Sequence, residues 1–270
     1  MLLKTINTLG VVAVMAAGTE LVSAVTSRTD PVPATDGTTY GTPVVVGNGT
    51  VRSYVTYASA EAVEVGVAMS EAVMRGLPAA SSDHPEGHHD MHEFVLDMPA
   101  GNRTPFRHIG FNWNPGGHEP PGIYDLPHFD FHFYTIPVAD RLAMVPNDTA
   151  DYNAKARNYP SPAFIPAGYI APAPVGIPQM GVHWIDPTSP EFNGKQFTQT
   201  FIYGSWDGKL IFAEPMITKA LIESRQTVTT PIAVAESYSQ AGRYPSSYTV
   251  RWNPRAAQYE VALTGLVTKN

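Results

Sequence analysis

The chain has 270 residues, with 17 Lys and Arg against 24 Asp and Glu, and is only 15% charged, well under the roughly 25% of an average soluble domain. That composition excludes disorder, a coiled coil and nucleic-acid binding, and a formal net charge of −7 gives no electrostatic hold on phosphate backbones or anionic lipid. The absence of cysteine removes disulfides, thiolate nucleophiles, iron–sulfur clusters and Cys-based zinc sites, so any chemistry must use histidine, carboxylate and hydroxyl groups.

Residues 1–24 read as a signal peptide: a basic start at Lys4, an uncharged stretch from Leu9 to Gly18, and the small-residue exit Val22-Ser23-Ala24. The apolar stretch is too short for a bilayer span of about 20 residues, and no other segment could span a membrane. The expected location is secreted, periplasmic or otherwise extracytoplasmic. Residues 25–42 are Pro-, Gly- and Thr-rich and read as a linker or N-terminal arm. The folded domain is expected over 43–270.

From Pro43 onward, short β-type runs recur between turn signals: Pro43–Val46, Thr50–Tyr57, Val63–Met69, Phe94–Met98, Phe106–Trp113, His128–Ile136, Phe197–Tyr203, Lys209–Glu214, Ser247–Trp252 and Tyr259–Leu263. Two of these runs flank Gly204-Ser205-Trp206-Asp207-Gly208, where Asp-Gly supplies a hairpin turn. A second hairpin is expected around Asn253-Pro254. Helical signals are confined to Ser70–Arg75 and Met216–Gln226, and Pro146–Pro178 reads as a long irregular segment. The expectation is one all-β domain, an antiparallel sandwich or barrel, with one or two short helices and long Pro-rich loops.

The histidines are concentrated. Of nine, four lie in Asp83–Glu93 (DHPEGHHDMHE), four are His118, His128, His132 and His183, and His108 stands apart. The run HFDFHFY alternates, so His128, Asp130, His132 and Tyr134 share one face of a strand while Phe129, Phe131 and Phe133 share the other. With the phenylalanines in a core, three ionisable groups opposite them are expensive unless that face is wet, lines a cavity or holds a metal. Residues at i and i+2 on a strand lie about 6.6 Å apart and those at i and i+4 about 13 Å, so His128 and His132 share an ion only if the strand bends or bulges. On a regular strand one of them ligates beside Asp130 and the other acts in an outer shell or as acid or base.

Gly116-Gly117-His118-Glu119-Pro120-Pro121-Gly122 is a turn that can fold His118 and Glu119 back over the strand, and Met180–Asp186 carries His183. The expected metal set is therefore His118, His128, His132 and His183, with Glu119 and Asp130 as ligand, outer-shell group or catalytic base. Such donors suit a divalent transition metal, whether zinc, iron, manganese, copper or nickel, better than calcium or magnesium. Glu214 ends a strand whose same-face neighbours Leu210 and Phe212 are apolar; it either leans into the same cavity or caps the strand at the surface. The cluster at Asp83–Glu93 reads as a solvated polar loop, with transient metal capture as the alternative. No Gly-x-Ser-x-Gly elbow, P-loop or Gly-x-Gly-x-x-Gly motif occurs.

The stretches Trp113–Tyr124, Pro127–Tyr134, Met180–Trp184, Phe197–Gly204 and Phe212–Met216 resemble a domain-of-unknown-function family of exported prokaryotic proteins. The resemblance runs from about Thr42 to the C-terminus, and the Asp83–Glu93 insertion lies outside its pattern. It implies a single mostly-β domain and assembly into homo-oligomers, and brings no established reaction. Three functions are compatible with the residues. The leading one is an exported metal-binding protein acting on a small molecule as a hydrolase or lyase. The second is a non-catalytic envelope oligomer with structural histidines, its apolar interfaces drawn from Pro160–Pro178. The third is a non-haem iron oxygenase using His128, Asp130 and His183.

Overall fold

A computed structural model of the protein describes residues 36–80, 90–173 and 175–270. The expected signal peptide and most of the Asp83–Glu93 cluster lie outside the described residues. Fifteen strands are formed: β1 (Gly37–Tyr40), β2 (Val44–Val46), β3 (Gly49–Ala58), β4 (Glu61–Ser70), β5 (His92–Asp97), β6 (His108–Asn114), β7 (His128–Tyr134), β8 (Val182–Trp184), β9 (Gln199–Trp206), β10 (Lys209–Thr218), β11 (Val228–Pro231), β12 (Gly242–Tyr244), β13 (Ser247–Asn253), β14 (Gln258–Thr264) and β15 (Val267–Lys269). Three short helices accompany them: α1 (Val138–Leu142), α2 (Thr149–Arg157) and α3 (Lys219–Glu223).

The strands pair antiparallel throughout. One large sheet runs β1-β3-β4-β14-β13-β11, with β2 added to β3, a second runs β5-β6-β7-β10-β9-β8, and β12 and β15 form a separate two-stranded pair. The two large sheets pack as a sandwich and do not close into a barrel. Alternation sorts the side chains: Val51, Val55, Val65, Val67 and Val261 of the first sheet meet Phe111, Phe129, Phe131, Phe133 and Ile217 of the second in one apolar core. A smaller cluster of Tyr124, Tyr134, Met144, Phe197, Ile211, Phe212 and Met216 lies elsewhere, on the outer side of the second sheet. That sheet is therefore buried on both faces.

All ten expected β runs are strands, and the β9–β10 hairpin turns through Asp207 (φ 45°) and Gly208 (φ 78°). This pair of positive φ values is the twist-matched two-residue turn that Asp-Gly favours. The β13–β14 hairpin closes around Asn253 as expected. Other elements differ. Residues 37–40, expected within a linker, pair with β3 as β1. The Ser70–Arg75 signal gives a single 3-10 turn over Glu71–Met74, and the Ser70 hydroxyl accepts from the Thr50 amide instead of capping it. Met216–Thr218, expected as helix, completes β10, and the helix is confined to Lys219–Glu223. The Pro-rich stretch contains α2, opened by Asp148, whose carboxylate accepts from the amides of Ala150 and Asp151.

The outer face of the first sheet carries a buried charge network. Glu260 accepts from Gln258 (2.7 Å), Asn253 (2.8 Å) and Arg251 Nε (2.7 Å), and Arg251 also pairs with Glu64. Burial alone would push the Glu260 carboxyl up, but these donors outweigh it and hold it below its usual value. A carboxyl depressed by folding adds stability above the unfolded glutamate value of about 4.3, and that stability is lost as pH falls below it. The Glu260→Gln variant is therefore expected to lose on the order of 1–3 kcal/mol at pH 7. Its urea-unfolding stability should also fall less steeply than the wild type's between pH 5 and pH 3; equal acid slopes would contradict this account.

Candidate metal centre

The strand β7 builds the centre. Phe129, Phe131 and Phe133 are fully buried in the inter-sheet core, which forces His128, Asp130, His132 and Tyr134 onto the opposite face. That face is also covered: none of the four exceeds 2% exposure. The strand keeps regular pairing with β6 along its length, so His128 and His132 stay two side-chain repeats apart. They do not share a site. The expected four-histidine set is instead divided into two His₂-carboxylate triads, His118–His128–Asp130 and His132–His183–Glu214, in each of which the ligand atoms lie within 4.8 Å of one another.

In the first triad, His128 Nε2 lies 3.2 Å from Asp130 Oδ1 and His118 Nε2 lies 3.5 Å from Oδ2. Asn114, on β6, donates to Asp130 Oδ2 at 2.7 Å and fixes the carboxylate plane. Each ring is oriented from behind: His118 Nδ1 is 2.7 Å from the Glu119 carbonyl, and His128 Nδ1 is 2.6 Å from the Leu126 carbonyl. A carbonyl can only accept, so the Nδ1 atoms carry the protons and Nε2 faces the carboxylate. The Glu119 side chain is exposed; its backbone oxygen is what reaches His118.

In the second triad, His132 Nε2 lies 3.3 Å from Glu214 Oε1 and His183 Nε2 lies 3.9 Å from Oε2. The register that pairs Ala213 with Phe133 and Met216 with Asp130 brings Glu214 beside His132, resolving its position toward the interior. Asn112 Oδ1, 3.0 Å from His132 Nδ1, orients that ring as the carbonyls orient the others. His183 enters from the edge strand β8, opposite Gly204. The iron-oxygenase set of His128, Asp130 and His183 is not assembled, because His183 converges with Glu214 while the third member beside Asp130 is His118.

The two halves differ electrostatically. Burial would raise Asp130, but the flanking His128 and His118 hold it well below the usual carboxylate range. Burial would lower His118, yet its hydrogen bond to Asp130 and that residue's charge leave it raised. Glu214 has no such help: burial, then the charge of Asp130, push it well above the usual range. Burial drives His132 down to about 3 and His183 to about 4, so both rings are neutral at pH 7, the state in which imidazole can coordinate a metal. Among the described residues, His132 Nε2, Glu214 Oε2, His128 Nε2 and Asp130 Oδ1 are buried without a hydrogen-bond partner.

Sequence patterning had not singled out Asn112, Asn114 or Arg141. Arg141 is fully buried, packs over the Tyr134 ring at 4.9 Å and pairs with Glu93. His108 stacks on the same ring at 4.7 Å, and Tyr134 stacks on His132 at 5.6 Å. Phe212 packs against the second triad, its ring 4.8 Å from His132 and 5.4 Å from His183, and against Gly204, where a Cβ would fall 2.0 Å from the ring. Gly204→Ala is therefore expected to cost about 1–3 kcal/mol by overpacking, read as a lowered midpoint in chemical denaturation; an unchanged midpoint would show that Phe212 is free to move.

Among the described residues, no helix is long and apolar enough to cross a membrane. Residues 58–113 match a family profile described as TTHB210-like, hypothetical protein TTHB210. No curated protein and no solved structure matches the chain. The matched segment spans β4 to β6 and stops short of His118, so it includes the orienting Asn112 but none of the six triad residues. Over those scaffold strands the chain is similar to a family of proteins of unknown function.

Proposed function

We propose that the protein is an exported metal-dependent enzyme, a hydrolase or lyase acting on a small molecule, with one divalent transition metal in each triad. One observation carries the reading. Three rings spend their Nδ1 protons on acceptors behind them and direct Nε2 at carboxylate oxygens 3.2–3.5 Å away. Two donors about 2.1 Å from a common ion at a tetrahedral angle lie about 3.4 Å apart, so these gaps have the width that a shared ion requires.

Three protein donors per ion leave a coordination position for water or substrate, as in catalytic rather than structural sites. A metal there polarises a carbonyl or lowers the pKa of bound water. The protein's part is to hold the donors with Asn112, Asn114 and the two backbone carbonyls, and to surround them with the apolar side chains of the smaller cluster. Asp130 acts as ligand; the exposed Glu119 side chain is not placed to act as base. Imidazole with a single carboxylate per site favours zinc, iron, manganese or copper.

Elemental analysis of the full chain, purified without chelators and titrated with zinc after stripping, tests this. Two equivalents are expected, with Glu214→Gln and Asp130→Asn each losing one; folded protein with no stoichiometric metal overturns the proposal.

A second reading concerns assembly. Tyr159, Ile170, Val175 and Ile177 are exposed apolar side chains along the Pro-rich segment, Val175 at 65%. They supply the kind of surface through which copies associate. Light scattering on the full chain should give a homo-oligomer that Val175→Asp with Ile177→Asp dissociates; a wild-type monomer removes this reading.

A further inference from the structure

A cavity of about 290 Å³ lies apart from the two triads, bounded by β9, β11, β13 and the segment 186–198. Asp186, Glu191, Gln199, Tyr169, Phe201 and Tyr248 are among the residues that line it. Among the described residues, no lysine, arginine or histidine lines it.

Glu191 is the unusual member. It is only 5% exposed, and among the described residues it has no ion-pair partner. Among the described residues, its carboxylate's one hydrogen bond comes from the Tyr124 hydroxyl to Oε1 at 3.4 Å, beyond the usual 2.5–3.0 Å range for such bonds. Gln199 adds a second open acceptor. Its Nε2 donates to Thr230 Oγ1 at 2.9 Å, which leaves Oε1 buried and unpartnered.

The aromatic walls are held in place. The Tyr169 hydroxyl donates to the Phe201 carbonyl at 3.1 Å, and the rings of Phe201 and Tyr248 stack at 5.5 Å.

We propose that this cavity binds a small organic cation, an alkyl primary amine, with the ammonium group held by Glu191 and Gln199 Oε1 and the alkyl chain against the aromatic walls. An ammonium supplies both the missing charge and the missing donors, and cations attract aromatic ring faces. An anion finds no countercharge here. An uncharged polyol leaves Glu191 uncompensated. A bare metal ion is disfavoured because Asp186 and Glu191 belong to neither convergent ligand set among the described residues. The volume lies at the small end of ligand cavities, which limits the amine to a short chain.

Calorimetric titration of the full chain at low ionic strength with putrescine, and with 1,4-butanediol as the uncharged analogue of equal length, tests the proposal. Putrescine is expected to bind at one saturable site and the diol not to bind. Glu191→Gln should weaken putrescine at least tenfold and Gln199→Leu severalfold, while both variants keep the metal content of the wild type. No saturable putrescine binding, equal binding of the diol, competition by calcium at equimolar concentration, or unchanged affinity in both folded variants would each overturn it. Because metal content is read separately, failure here is distinguishable from failure of the metal-centre reading.

Discussion

The alternation of HFDFHFY along β7 is the constraint on which the rest of the centre depends. Three phenylalanines at every second position have one place to go, the core between the sheets, where Phe111 lies 5.3 Å from Phe129 and 5.4 Å from Phe131. A slip of one residue would put three aromatic rings in the polar layer and two histidines and an aspartate in the core. The apolar side of the strand thus sets the position of the polar side. The ligands are as rigid as the packing behind them, since a β-strand has no freedom to turn one face without the other.

Rigidity alone would leave the rings free to rotate about their side-chain bonds, and the acceptors behind Nδ1 remove that freedom. Two are backbone carbonyls of the loop between β6 and β7, and one is the Asn112 side chain on the neighbouring strand. The same loop carries His118. The sheet therefore supplies the carboxylates and the loop supplies one ring and the orientation of another, so the first triad is complete only when the loop lies down on the strand. The second triad is drawn from three strands of one sheet and needs no loop to form.

Most of the fold was legible because it rests on local alternation and turn chemistry. The ten β runs and the Asp207-Gly208 turn follow from neighbours in sequence. The strands that were missed are three or four residues long, as in β8, β12 and β15, or mostly polar like β1, and carry too little pattern to stand out. The helix α2 was hidden because its exposed sequence TADYNAKAR buries only Tyr152 and Ala156, leaving almost no apolar stripe. His128, Asp130 and His132 were legible as a group because their spacing on one strand is a local property. Their division into two sets was not, since it depends on which residue of β10 lies beside His132. A pairing register between strands some 80 positions apart leaves no mark within either one. Arg141 was invisible for a related reason: nothing in the sequence around it announces a guanidinium that ends up fully buried.

The composition of the two triads also sets a charge balance. With metals bound as proposed, the four imidazoles would be neutral donors, and Asp130 and Glu214 would contribute one negative charge each. Two carboxylates balance the charge of a single divalent ion, whereas two such ions would leave a surplus of two positive charges, with only His118 and His183 of the six side chains partly open to solvent. The nearby Arg141–Glu93 pair cancels within itself and offers no relief. A doubly loaded centre would therefore need anions from outside the chain, such as hydroxide or an acidic ligand.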